Sequence, residues 1–304
     1  FSIRTAKQAL GDFLDPSVWF IFGSVVIGMA FTASGLTKRM AYKMLDVVGE
    51  RTTMIYLGSF IVTAAMTHLM AHTAVAAAIF PLLLAINALY TDSDKPTKFG
   101  KGLFIGMAWV AGAGSIVTFL GAARGVAAAG MFKEFTGQDI GFFELTWYMF
   151  PVGWLMVFLI YLVIVMCFRP EKERIVGLRE KAKELARELG PMSGKEYFLI
   201  LTVAIIVALF MINSFIPKPF SRAGIVLIAT LAFFMTKTLT VEDLEAIPWN
   251  IILLFGGAMS IGFCLWQTKA AEWMAVHWLT MFLNANWLVF VLGIAFFVLM
   301  MTNF

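Results

Sequence analysis

Charged residues are scarce in this chain of 304 residues. Asp, Glu, Lys and Arg make up 14% of it, whereas hydrophobic residues make up 61%, and the mean hydropathy is +0.86. That is too little polar material to cover the surface of a soluble globule of this size. The composition therefore excludes a soluble domain and predicts an integral, multi-pass membrane protein.

Cysteine and histidine are also rare, with two and three residues. Cys167 and Cys264 lie in separate apolar runs without metal-ligand spacing, which favours buried small side chains over a disulfide or metal framework. No basic run is interleaved with aromatic residues, so nothing indicates nucleic-acid binding. We expect no resident cofactor, no metal site and no nucleic-acid partner.

The apolar spans lack acidic side chains. The acidic residues of the chain lie in loops, at interfaces or in amphipathic segments. A transporter of drugs or metal cations more often buries acidic ligands in its spans. The absence therefore favours an anionic substrate, which the N–H groups and partial positive charge of helix N-termini can hold.

The run from Thr63 to Pro81 is apolar but carries three threonines and two histidines, among them His68, His72 and Thr73. Polar groups at membrane depth are costly, so a functional site is the first hypothesis. A turn between two helices, capped by His72 and Thr73, is the simpler alternative. Basic residues flank the wider apolar segment, residues 53–90, and place both ends in the cytoplasm. Charge does not separate two full spans from a re-entrant hairpin with its tip at the midplane.

A high density of glycine between Gly102 and Phe132 predicts a discontinuous helix. Arg124 lies in this segment among alanines and glycines. We interpret it as a contact for an anion, and a snorkelling arginine at a helix end is the alternative.

The rest of the chain reads as further spans separated by charged segments. The predicted segments are a span from Val18 to Leu36, a surface helix to Val48, a span from Phe142 to Phe168, an amphipathic cytoplasmic helix from Arg169 to Lys195, and spans from Tyr197 to Phe215 and from Ala223 to Met235.

An internal repeat relates the start of the chain to its end. Phe22-Gly23 matches Phe255-Gly256, and the correspondence continues until Thr67 falls opposite Thr302. Five predicted crossings separate the copies, and an odd number inverts the second copy, as in transporters that bind substrate at the midplane. The second copy of the polar cluster would begin beyond Phe304, so we interpret the chain as a fragment that lacks both ends and holds one half of a binding site.

Ala71-His72-Thr73, followed by Ala74-Val75-Ala76-Ala77 and Pro81, resembles the first Ser-Asn-Thr signature of the divalent anion/sodium symporter family. Only the threonine of the triplet is kept. The glycine-rich stretch from Gly112 to Gly121 resembles the family's broken-helix loop, and Ile247-Pro248-Trp249 with the Leu-Phe-Gly-Gly that follows resembles a family span entrance. The resemblance covers nearly the whole chain.

This resemblance implies an all-α, inverted-repeat, elevator-type transporter with re-entrant hairpins and discontinuous helices. It implies a homodimer in the cell (inner) membrane that moves dicarboxylates, tricarboxylates or sulfate with sodium. We expect a scaffold span and surface helix in residues 1–52, a transport part in 53–168, a cytoplasmic amphipathic helix in 169–196, scaffold spans in 197–286 and the start of a second hairpin in 287–304.

The same resemblance, with the polar groups above, implies the site residues. The expected substrate-binding residues are His72, Thr73, Thr118 and Arg124, and the expected ion-binding residues are Ala71, His72, Gly112, Gly114 and Ser115. Imidazole is a poor ligand for a hard cation, so His72 leaves the coupling ion open between Na⁺ and H⁺.

Two other functions remain as alternatives. One is an arsenite-type permease or ion antiporter of the same superfamily. The weaker one is a membrane-embedded enzyme, for which His68 and His72 lack a carboxylate or a third ligand.

Overall fold

The computed structural model describes residues 5–91, 95–216, 220–282 and 285–303. These residues form helices joined by connections, without a β-strand among them, which confirms the predicted all-α class. The helices are α1 (Ala6–Gly11), α2 (Pro16–Ser34), α3 (Leu36–Val48), α4 (Thr52–Thr67), α5 (His72–Tyr90), α6 (Lys98–Gly114), α7 (Ala123–Thr136), α8 (Phe142–Cys167), α9 (Leu178–Glu188), α10 (Gly194–Phe215), α11 (Arg222–Met235), α12 (Val241–Glu245), α13 (Trp249–Gln267), α14 (Ala270–Thr280) and α15 (Trp287–Asn303).

Five helical segments of the described chain are long and apolar enough to cross a membrane. They are Ala6–Ser34, His72–Tyr90, Phe142–Cys167, Gly194–Phe215 and Trp249–Gln267. Their number confirms a multi-pass integral membrane protein. The chain divides into two compact units, one of residues Trp19–Ile247 and one of Phe1–Val18 with Pro248–Phe304.

Helices α4 and α5 form the predicted hairpin in the first of these units. Helix α4 ends at Thr67 and α5 begins at His72, so that four residues, 68–71, form the tip. With 16 residues, α4 is about 24 Å long, less than the roughly 30 Å of a bilayer core. Its length suits a re-entrant helix, and the depth of the tip in the membrane stays a prediction.

The glycines of α6 serve close packing within a continuous helix. A Cβ on Gly102 would lie 2.5 Å from the Tyr56 hydroxyl, and one on Gly106 would overlap the ring of Phe60. Since Tyr56 and Phe60 belong to α4, these glycines let α4 and α6 approach closely. The helix breaks only in residues 115–122, hereafter the α6–α7 loop, so the predicted interruption is confirmed but is narrower than the glycine pattern suggested.

The amphipathic helix expected from Arg169 to Lys195 is shorter than predicted. Before α10 begins at Gly194, only Leu178–Glu188 is helical, and Gly177, with a left-handed φ of 82°, stands at the start of this helix. The preceding residues run beside the start of α4 and form an isolated antiparallel bridge between Arg51 and Arg174. The prediction of a helix throughout this segment was therefore wrong.

The internal repeat appears as two runs of helices of similar length. Helices α2, α3 and α4 have 19, 13 and 16 residues, and α13, α14 and α15 have 19, 11 and 17. In each run a left-handed residue joins the first helix to the second, Gly35 in one copy and Lys269 in the other. The relative inversion of the copies stays a prediction.

Candidate functional site

The tip of the α4–α5 hairpin is bound to the α6–α7 loop through His72. The main-chain N–H of His72 donates a hydrogen bond of 3.1 Å to the carbonyl oxygen of Gly121. The ring Nδ1 of His72 lies 3.2 Å from the same oxygen. Because a carbonyl oxygen only accepts, Nδ1 must carry the hydrogen of the ring, and Nε2 has no role in this contact.

A second contact joins the same two segments. The hydroxyl of Thr118 donates a hydrogen bond of 2.8 Å to the carbonyl oxygen of His68. Thr118 is buried, with 5% of its surface exposed. The loop therefore holds the tip on both sides, through His68 at its start and through His72, the residue that directly follows it.

Small residues allow the hairpin and the loop to pack without space between their backbones. A Cβ on Gly114 would lie 2.5 Å from Oγ1 of Thr67 and 2.9 Å from Cα of Ala64. A Cβ on Gly121 would overlap the carbonyl oxygen of Thr67 and lie 2.5 Å from that of Ser115. Substitution at either glycine must displace main-chain atoms, so both positions determine the shape of the site.

Ser115 directly follows α6, and Gly112 lies three residues before it in the last turn of the helix. Ser115 is completely buried, and its hydroxyl donates a hydrogen bond of 2.7 Å to the Gly112 carbonyl. Gly112 lines an apolar groove of about 400 Å³ between α6 and α8, together with Trp109 and Met156. Ser115 also lies beside Gly121 of the loop, because a Cβ on Gly121 would approach the Ser115 carbonyl, whereas Gly112 lies at the rim of the groove.

The open side of the site is formed by two helix N-termini. Helix α5 begins at His72 after the half-buried Ala71, which supplies no side-chain cap. Helix α7 begins two residues after Gly121, and Arg124 in its first turn is exposed, as is Thr73 in the first turn of α5. The first N–H groups of a helix have no partner within it, so both ends offer donors and partial positive charge.

The ring of His68 points away from this open side. It lies edge-on to Trp154 of α8 with ring centroids 5.8 Å apart, and 6.4 Å from the ring of Phe150. The Gly114 carbonyl is close to the ring, yet neither ring nitrogen meets hydrogen-bond geometry with a described residue. His68 and His72 therefore face different surroundings, and no group of three or more metal-ligating side chains occurs among the described residues.

The structure brings together most, though not all, of the residues that the sequence proposed. His72, Thr118, Gly114 and Ser115 meet at the tip and the loop, Ala71, Thr73 and Arg124 lie at the two helix starts, and Gly112 lies at the rim. Two contributors were missing from the predicted site, namely Thr67 and Gly121. Gly121 had a signal in the sequence, since it ends the glycine-rich stretch that resembles the family's broken-helix loop.

Known proteins resemble this chain over nearly all of its length. The sodium-dependent dicarboxylate transporter SdcS of Staphylococcus saprophyticus is 23% identical over 99% of this chain and 62% of its own length. SdcS of Staphylococcus aureus is 23% identical over 90% of this chain and 57% of its own length. A membrane protein of Cupriavidus necator is 24% identical over 89% of this chain and 53% of its own length. The chain thus spans about half to two thirds of these relatives.

A family model described as the sodium:sulfate symporter transmembrane region matches residues 2–304. This range includes the hairpin, the α6–α7 loop and both copies of the repeat. The resemblance inferred from the triplet at Ala71-His72-Thr73 is thereby confirmed. The chain belongs to the sodium:sulfate symporter family.

Proposed function

We propose that the protein is a secondary transporter that moves small dicarboxylate or tricarboxylate anions together with a coupling cation. The observation that carries this proposal is the junction of two helix N-termini, those of α5 and α7, through the contact between His72 and Gly121. Such a junction suits a carboxylate, because each helix start contributes N–H donors and partial positive charge. Relatives named sodium-dependent dicarboxylate transporters support this substrate class.

Three polar side chains at the junction, two of them exposed, complete the proposed anion site. Thr73 supplies a hydroxyl, Arg124 a guanidinium, and Nε2 of His72 a third polar group. Guanidinium groups bind carboxylates through paired, charge-assisted hydrogen bonds. A substrate with two carboxylates would then place one at each helix start. The hydroxyl of Thr118, which binds the hairpin, would act on the substrate only by positioning the tip.

Sodium is the first candidate for the coupling ion, because the relatives are sodium-dependent. Main-chain carbonyls in the α6–α7 loop and the hydroxyl of Ser115 are oxygen ligands of the kind that hard cations prefer. The Gly121 carbonyl is already occupied by the ring N–H of His72. This contact favours a second candidate, in which protonation of His72 replaces part of the role of sodium.

The larger architecture follows from the same family. We propose an elevator mechanism, a homodimer and a location in the cell membrane, with residues 53–168 in the moving part and residues 1–52 and 197–286 in the scaffold. The repeated order of helices supports this division. The family consists of symporters, so an enzymatic role is set aside.

Uptake by proteoliposomes tests the proposal. The purified full-length protein should accumulate labelled succinate when a sodium or proton gradient is imposed. Excess unlabelled dicarboxylate should compete for uptake, and a monocarboxylate should compete less. Arg124→Gln should weaken substrate binding by about 1.5–3 kcal/mol, the value of a hydrogen bond to a charged group. Arg187→Gln, which removes an exposed arginine of α9, is the matched control. Equal affinities in the two variants would assign Arg124 to the membrane interface instead.

A further inference from the structure

Two arginines face each other at the start of α4, the end that the basic flanks of the hairpin predict to be cytoplasmic. Arg51 and Arg174 form an isolated antiparallel bridge, in which the N–H groups of the next residues, Thr52 and Ile175, make hydrogen bonds of 3.0 and 2.9 Å to the opposite segment. The hydrogen bonds of this bridge are made by the flanking residues and not by the arginines themselves. Arg51 and Arg174 therefore form a non-hydrogen-bonded pair of the antiparallel type. In such a pair the Cα atoms are about 4.5 Å apart and both side chains leave the same face.

This arrangement is unfavourable by itself. Like charges directly opposite each other destabilise a strand pair. Both side chains are exposed, and no carboxylate of the described residues forms an ion pair with either guanidinium. The nearest acids in sequence, Glu50 and Glu173, alternate to the other face of the bridge, and the Glu50 carboxylate accepts the N–H of Gly177. The pair of positive charges is thus uncompensated within the described chain.

The surroundings of the pair are those of a membrane surface. Arg51 is the residue that precedes α4, an apolar helix of the hairpin, and it follows the amphipathic helix α3. Val47 and Val176 lie close to the bridge in sequence and are 79% and 87% exposed. Exposed apolar side chains beside basic ones are typical of segments that dip into the headgroup region. The cytoplasmic leaflet is also the side of the membrane that carries anionic lipids.

We propose that Arg51 and Arg174 together bind the phosphate group of an anionic phospholipid of the cytoplasmic leaflet. A phosphate can accept hydrogen bonds from two guanidinium groups at once, and arginine suits it because of its fork of donors. The bound anion would offset the repulsion between the two arginines. The lipid would then fasten the loop after α8 to the base of the hairpin, at a position separate from the substrate site.

Lipid retention in nanodiscs tests the site. The intact protein is placed in phosphatidylcholine alone or in a mixture with phosphatidylglycerol, and bound lipid is counted by native mass spectrometry. The double variant R51Q/R174Q should retain at least about tenfold less phosphatidylglycerol than the wild type, because it loses charge-assisted bonds. The control K181Q/R187Q removes two exposed charges from α9 and should retain it like the wild type.

Thermal stability provides a second measurement, in which the more stable of the two proteins should depend on whether the anionic lipid is present. In pure phosphatidylcholine, R51Q/R174Q should be as stable as the wild type or more stable, because it relieves the like-charge pair. In the mixture, the wild type should gain stability and R51Q/R174Q should not. Equal retention and equal stabilisation in both proteins would overturn the site. If inorganic phosphate in pure phosphatidylcholine stabilised the wild type as fully as the lipid does, a soluble phosphate ligand would replace the lipid assignment.

Discussion

The carbonyl oxygen of Gly121 accepts hydrogen from both the main chain and the ring of His72, at 3.1 and 3.2 Å. One atom of the loop therefore fixes the first residue of α5 and the orientation of its side chain. This geometry explains how a histidine can stand where the related signature has asparagine. The ring N–H at Nδ1 binds the Gly121 carbonyl, so Nε2 is not used in this contact.

Gly121→Ala should disrupt this contact by steric overlap. The added Cβ would meet the Thr67 and Ser115 carbonyl oxygens, and overpacking of this kind costs about 1–3 kcal/mol. We expect lower thermal stability and loss of uptake. Gly125→Ala is the matched control, because its Cβ would meet only Cδ1 of Phe119, at an ordinary 3.9 Å. Similar losses in both variants would show that glycine is needed for reasons other than close packing.

Thr118→Val should weaken the other link between the tip and the loop. It leaves the part-buried carbonyl of His68 without its donor, which costs about 1–3 kcal/mol. If Thr118 acts by positioning, transport rate should fall more than apparent substrate affinity. Thr118→Ser keeps the hydroxyl and should restore most of the rate. A valine variant with normal rate would exclude a positioning role.

His72→Asn should change the coupling ion. Asparagine restores an amide oxygen, a better sodium ligand than imidazole, and removes a side chain that can carry a proton. We expect steeper sodium dependence and flatter pH dependence of succinate uptake in the variant. His277→Asn is the control, since Nδ1 of His277 also contacts a main-chain carbonyl, that of Trp273, but lies in α14. Wild-type uptake that already depends steeply on sodium and not on pH would contradict proton coupling.

Glu171 caps α6 from a distant part of the chain. Its carboxylate accepts hydrogen bonds from the N–H of Lys98 at 2.6 Å and from the hydroxyl of Tyr90 at 2.8 Å. Burial raises the pKa of the Glu171 carboxyl, but the hydrogen bonds from Lys98, Tyr90 and Phe99 outweigh it and hold the pKa below the ordinary 4.5.

Because the pKa is lowered on folding, the stabilisation is complete above about pH 4.5 and is lost as the pH falls through the folded-state pKa. Glu171→Gln should therefore lower stability by about 1 kcal/mol at neutral pH, the usual value of a cap, and less in acid. Thermal unfolding in detergent at several pH values measures this. Glu173→Gln, an exposed neighbour, should have little effect. Equal behaviour of the two variants would deny Glu171 its capping role.

The sequence predicted the hairpin well because its signal was local. A polar break inside an apolar run marks the change from α4 to α5, and the structure places that break at residues 68–71. The contact between Thr118 and His68 was not predictable in the same way, since 50 positions separate the two residues. Only the family resemblance associated the two segments in advance.

The errors have physical causes of the same kind. Glycine density alone does not distinguish a helix break from close packing, so the role of Gly106 against Phe60 was missed. The amphipathic helix was predicted to begin at Arg169, and the apolar Ile175 fitted its buried face. In the structure Ile175 is buried, but it lies in the bridge to the start of α4 and not in a helix. Likewise, the sequence around Glu171 predicts a solvated charge, whereas in the fold its carboxylate accepts a hydrogen bond from the N–H of Lys98.

Gly35 and Lys269 stand at matching positions of the two repeats, and both have a left-handed backbone. Opposite substitutions at the two positions test whether they are structurally equivalent. Gly35 has a φ of 85°, and a Cβ added to it would meet no atom within 4 Å, so Gly35→Ala adds about 1–2 kcal/mol of strain without a clash. The lower entropy of the unfolded alanine chain should offset part of this strain, leaving a loss of stability of about 0.5–1 kcal/mol. Lys269 has a φ of 59° at the equivalent position and already bears that strain. Lys269→Gly should remove it, and the greater entropy of the unfolded glycine chain should offset part of the gain, leaving a gain of about 0.5–1 kcal/mol.

Thermal unfolding of both variants in one detergent measures the difference. If Lys269→Gly destabilised the protein as much as Gly35→Ala, the two connections would not be structural equivalents, and the side chain of Lys269 would have a separate role.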